Sequence, residues 1–157
     1  MISTNNKITL SDGTEKLVKD LKPNDRILTY DFYNQKVCQD FINVIEDDTR
    51  DEPIFYVKFV NNQGRIYELN IKGDVLFNVN TTKWKFDEKV PKNFCSLNYM
   101  RSAETLTDMF GFQLKILSIE ECPFDNKDEK FVKIIPKFNK CVFVNNVSIS
   151  CFPPKKY

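Results

Sequence analysis

Lys7-Ile8-Thr9-Leu10-Ser11-Asp12-Gly13-Thr14-Glu15-Lys16-Leu17-Val18-Lys19-Asp20-Leu21-Lys22-Pro23-Asn24-Asp25-Arg26-Ile27-Leu28 reads as a strand, an Asp-Gly turn, a second strand, a tight turn and a third strand. Asp12-Gly13 supplies the positive backbone angle that a short hairpin needs. Pro23-Asn24-Asp25 breaks the chain again before the apolar run resumes at Ile27.

The same pattern continues outward. Ile54 to Val60 is a strong strand, Asn61-Asn62-Gln63-Gly64 a turn, and Arg65 to Ile71 the return strand. Gly73-Asp74 interrupts that run and Val75 to Val79 resumes it. Phe112 to Ile119 and Phe131 to Ile135 also read as extended. Lys140 to Val144 and Val147 to Ser150 flank Asn145-Asn146, a second hairpin turn. Helix is sparse: Ala103 to Phe110 is the candidate, with Ser102 as its N-cap. Glu46 to Pro53 is polar and reads as an exposed loop. The tail from Phe152 contains Pro153-Pro154 and cannot continue a central strand. The reading is therefore one all-β domain over residues 1–151 and a C-terminal tail over 152–157.

Composition agrees with a folded body. Hydrophobic residues make up 41% of 157, with 14 Phe, which suffices for one core. The formal net charge of +1 forces neither a nucleic-acid nor an anionic-membrane partner. No apolar run reaches the roughly 20 residues a bilayer span needs, and no charged segment followed by an apolar one opens the chain. Cys38, Cys95, Cys122, Cys141 and Cys151 are odd in number and widely spaced, and the chain contains no His. A disulfide scaffold or a mixed zinc site is not expected. The cysteines read as reduced thiols of an intracellular, cytoplasmic protein, most of them in the core. No cofactor is implied.

The opening stretch resembles the start of a Hint domain, the fold shared by inteins and the autoprocessing part of hedgehog proteins. The resemblance covers roughly residues 1–151 and implies a horseshoe-like β fold with pseudo-twofold symmetry and few short helices. The echo of residues 16–24 in residues 85–93 fits such a two-halved body. Family members carry Gly where this chain has Asn24, which calls for a left-handed residue there. The family's Thr and His block corresponds to Leu69-Asn70-Ile71-Lys72-Gly73-Asp74-Val75-Leu76-Phe77. Thr is replaced by Asn70 or Ile71, and His by Gly73 or Asp74, depending on register. The last block corresponds to Phe143 through Cys151, with Ser150 and Cys151 standing where His and Asn would be.

The resemblance implies a reaction whose parts are altered here. In the family a first-residue thiol or hydroxyl attacks the preceding carbonyl through a five-membered ring. Met1 aligns with that residue, and its thioether has no proton to lose. If Met1 is also the start of translation, no upstream bond is there to attack. Asp74, with an ordinary carboxyl pKa of about 4, is a poor acid at neutral pH. Losing one member of a coupled set costs on the order of 10³–10⁶ in rate. Ser3 lies two residues too late and reads as a polar residue opening a strand. Cys151 reads as a structural thiol and Asp74 as a turn residue.

The leading expectation is a catalytically inactive module that binds or supports another protein. Exposed strand edges suit strand addition, and Phe32, Tyr33, Phe55, Tyr56 and Trp84 are candidates for an anchor patch. An autoprocessing domain with altered residues is the alternative. Nucleic-acid binding is a third. Its candidate patches, Lys83 to Lys92 and Lys127 to Lys140, interleave with Asp87, Glu88, Asp128 and Glu129, which favours a mixed solvated face.

Overall fold

The computed structural model describes residues 1–31, 34, 36–73, 75–78, 94–96, 106–122, 129–139 and 141–150, with the backbone alone at 78 and 94–96. Among them are fourteen strands: β1 (Ile2–Ser3), β2 (Lys7–Thr9), β3 (Glu15–Leu17), β4 (Arg26–Asp31), β5 (Lys36–Asp47), β6 (Ile54–Asn61), β7 (Ile66–Lys72), β8 (Leu76–Asn78), β9 (Phe94–Ser96), β10 (Leu106–Thr107), β11 (Gln113–Cys122), β12 (Phe131–Pro136), β13 (Cys141–Val144) and β14 (Val147–Ser150). They form an eight-stranded sheet, ordered β10-β11-β6-β7-β1-β12-β5-β4, and a six-stranded sheet, ordered β3-β2-β13-β14-β8-β9. Every strand pairing is antiparallel.

Alternation sets which face is buried. Val57 opposes Leu69, Phe59 opposes Tyr67 and Phe55 opposes Ile71 across β6 and β7, and these rows point into the core. Lys58 and Glu68 oppose each other on the outer face, 3.5 Å apart. The Phe59 and Phe77 rings meet at 5.7 Å with a 59° tilt, tying one sheet to the other. Strands β13 and β14 are buried at every position, as befits the middle of the second sheet.

Turns follow the residue types. Gly13 (φ 86°) and Gly64 (φ 82°) close two hairpins, and Asn145 and Asn146 (φ 46° and 67°) close the β13–β14 hairpin. Asn24 has φ 72°, so it does fill the left-handed position left by an absent glycine. Its side chain is exposed, so replacement there tests backbone alone. Asn24→Ala is expected to cost about 1 kcal/mol and Asn24→Gly almost nothing, as read from thermal unfolding.

Three expectations need correction, and a fourth is only partly covered by the described residues. The stretch expected as a helix from Ala103 contains strand β10 and a turn instead; Ser102 and residues 103–105 lie outside the described residues. Asp108 explains this. Its Oδ1 accepts the N–H of Phe110 (3.0 Å) and Phe112 (2.9 Å), offering the backbone a tight turn in place of helical bonding. The expected loop at Glu46 begins later, because Glu46 and Asp47 continue β5 opposite Lys133 and Val132. Within it, the Asp48 side chain is covered rather than exposed. The single helical element among the described residues is a 3-10 turn at Val18–Asp20. Finally, of the three cysteines whose side chains are described, only Cys141 is buried. Cys38 and Cys122 are half-buried, near the ends of strands that face solvent on one side.

Candidate functional site

Strand β1 is only two residues long, yet it sits mid-sheet between β7 and β12, with Ile2 opposite both Ile71 and Val132. Two residues of ladder hold a chain end weakly, so the other contacts of Met1 matter. The Met1 carbonyl accepts the Lys72 N–H at 2.8 Å, and the Met1 side chain is buried. The α-ammonium of Met1 donates to Asp48 Oδ2 at 2.5 Å. Both partners are almost fully covered, at 6% and 4% side-chain exposure.

Asp48 carries further partners. Arg50 Nε donates to Oδ1 (3.0 Å) and Arg50 Nη2 to Oδ2 (3.1 Å). Lys72 Nζ lies 3.5 Å from Oδ1 and donates to the backbone carbonyls of Asp48 (2.8 Å) and Arg50 (2.6 Å), while passing over the Phe131 ring. Burial pushes the Asp48 carboxyl up, but hydrogen bonds from Arg50 and the Met1 ammonium, with that ammonium's charge, more than offset it. The group is held well below the usual carboxylate range. A cleft of about 330 Å³ opens beside this cluster, lined among others by Asp51, Glu52, Glu129 and Lys130.

On the other side of residue 1 lies a crevice of about 10 Å³, lined by Met1, Ile2, Val132, Ile134, Val142, Ile149 and Ser150 among others. Met1 and Ser150, two of the four positions singled out in the sequence, are thus brought together. The crevice is too small for anything beyond a single water. The other two positions, Asp74 and Cys151, lie outside the described residues. A Cβ at position 73 would meet the Phe55 ring at 2.9 Å, so a side chain the size of imidazole does not fit there without moving the ring. Ile71 is fully buried in the core and Asn70 is engaged by Asn6 and Glu129, so neither presents a hydroxyl-like group.

Ser3 is buried. Its hydroxyl donates to Glu129 Oε1 at 2.5 Å and accepts the Asn5 N–H at 3.2 Å. Asn70 Nδ2 (3.1 Å) and the Tyr56 hydroxyl (3.3 Å) complete the Glu129 carboxylate. Glu129 thus ties β1, β6 and β7 together. The described thiols are poorly suited to attack. Burial pushes Cys38, Cys122 and Cys141 all up, so each is protonated at neutral pH. No cluster of three or more metal-ligating side chains occurs among the described residues.

Of the aromatic patch, Phe55 packs against the core and Tyr56 is spent on Glu129; Phe32, Tyr33 and Trp84 lie outside the described residues. So does the whole patch at 83–92. Of the second basic patch, Lys130 and Lys137 are exposed and Lys133 half-buried, with Glu129 adjoining; residues 127, 128 and 140 are outside the described set. No helix among the described residues is long and apolar enough to cross a membrane.

Asp48, Lys72 and Glu129 were not legible in the sequence as a site. Asp48 sits in a polar run that looks solvated, and its partners lie 47 and 24 residues away.

No protein-family model and no characterised sequence matches the chain. Solved structures do. A DnaB intein from Synechocystis sp. PCC 6803 superposes with a TM-score of 0.70 at 14% identity, over 95% of this chain and 96% of that one. A bacterial intein-like domain from Clostridium thermocellum gives 0.69 at 12% identity, over 96% and 98%. The gp41-1 intein gives 0.62 at 14% identity, over 95% of each chain. The chain has the Hint fold, along nearly its whole length. At these identities the likeness is one of fold.

Proposed function

We propose that this protein is a Hint-fold module without self-cleaving activity that binds or supports another protein. One observation carries the reading. At the residue-1 end, where the resemblance puts a nucleophile beside a scissile bond, this chain has a buried thioether and a nitrogen paired with Asp48. The sequence holds no imidazole to protonate a leaving nitrogen. Ser150, the polar group that shares the residue-1 crevice, is neither an acid near neutral pH nor an amide able to cyclise.

The binding half of the proposal rests on a sheet edge. Among the described residues β10 covers only Gln113 and Leu114 of β11, and Leu117 and Ile119 farther along that strand are exposed. The ladder is irregular between Ile116 and Ser118, which limits how far a partner strand extends.

An autoprocessing reading retains one supporting observation, the Ser3 hydroxyl held against the Glu129 carboxylate. A fusion with peptides before Met1 and after Tyr157 separates the two. Incubated for days with thiol or hydroxylamine and followed by intact mass, it is expected to remain one species. Release of either peptide, accelerated by the added nucleophile, would establish an acyl intermediate and reject the silent reading.

A further inference from the structure

We infer that the Asp48 cluster senses the chemical state of the residue-1 nitrogen, closing the fold around a free α-ammonium and loosening it when that nitrogen is an amide. Three features of the geometry support this. The nitrogen's partner is a carboxylate whose side chain is almost fully covered, so water screens the pair weakly. The cations that share the carboxylate, Arg50 and Lys72, differ in availability: Arg50 is 40% exposed, and Lys72 is spent mainly on the carbonyls of residues 48 and 50. The ammonium is therefore the closest positive charge on Asp48, and it is covered as fully as Lys72. Third, what it anchors is a two-residue strand that joins β7 to β12 in mid-sheet, so its release reaches both neighbours.

An amide at the same place offers one N–H and no charge. It can keep one hydrogen bond to Oδ2 but removes the nearest of the three cations around the carboxylate, leaving Arg50 and Lys72. Acylation of the amine, or any residue joined ahead of Met1, makes that change. Capture of a terminal amine by a protein cradle is a known recognition mode, and here the ligand is the chain's own first residue.

The test compares the 157-residue chain carrying a free amine with the same chain preceded by Gly-Ser, each also as Asp48→Asn. Intact mass confirms the terminus of every sample. The extension is expected to lower Tm by about 5 °C in the parent and by less than about 1 °C in Asp48→Asn, a difference that isolates the coupling. Hydrogen exchange at the Lys72 amide, which bonds the Met1 carbonyl, is expected to quicken in the extended parent. Equal losses of Tm in both backgrounds would mean that the extension acts by bulk alone. Unchanged Tm and unchanged Lys72 exchange in the parent would also overturn the inference, whether or not Asp48→Asn folds.

Discussion

Asp108→Ala is expected to lower the unfolding free energy by about 3–5 kcal/mol, read as a shift of the urea midpoint at constant slope. The carboxylate is buried and accepts four hydrogen bonds. Oδ2 takes Asn61 Nδ2 (3.2 Å) and the Tyr67 hydroxyl (3.0 Å), and Oδ1 takes the two backbone N–H groups of the following turn. Asn61 and Tyr67 are themselves buried, so their donors cannot turn to water when the acceptor goes. The Asp108 backbone also bridges to Val147, and the Met109 N–H bonds the Asn146 carbonyl. The Asp108 side chain thus joins the β6–β7 hairpin end to the β10–β11 turn, and its backbone adds the β13–β14 hairpin. Asp108→Asn keeps one acceptor oxygen and turns the other atom into a donor that faces donors. It is expected to lose about half as much.

Asp48→Ala is the second large effect, about 3 kcal/mol at neutral pH. It removes the partner of a buried ammonium and half of the frame that fixes Arg50, while Lys72 keeps its two carbonyls. The pH dependence has a definite sign. The Asp48 carboxyl is depressed in the folded chain, so its contribution is complete above the ordinary carboxylate range and declines as pH falls through it toward the folded value. The parent is expected to lose stability on acidification more steeply than Asp48→Ala, and the gap between the two should close in acid.

Much of the fold was legible because its signals are local. The β6–β7 hairpin announces itself by alternation and an Asn-Asn-Gln-Gly turn, and the β13–β14 hairpin by Asn145-Asn146. Asn24 could be assigned a left-handed backbone because a family glycine was missing there. Each depends on residues a few positions apart. The misread parts depend on distant partners. Asp108 looks like an ordinary residue within a helical window until Asn61 and Tyr67, more than forty residues upstream, supply donors for its second oxygen. Asp48 looks solvated until residue 1 arrives. Cys122 looked like core material by type, but β11 lies beside the sheet edge and leaves it half-covered.

Of the candidate positions Met1, Asp74, Ser150 and Cys151, only Met1 and Ser150 fall among the described residues. The structure puts both on one crevice. The pairing of the residue-1 ammonium with the Asp48 carboxylate left no local trace in the sequence.

The ionisation of Asp48 tests that clasp most directly. Carbon-detected NMR of the Asp48 carboxyl during an acid titration follows the group itself. The expected result is a signal that stays at its ionised position throughout the ordinary carboxylate range, until the fold is lost, and that moves when residues are joined ahead of Met1. A midpoint near the ordinary value of about 3.9, unchanged by such an extension, would contradict the clasp and leave the residue-1 end open to other chemistry.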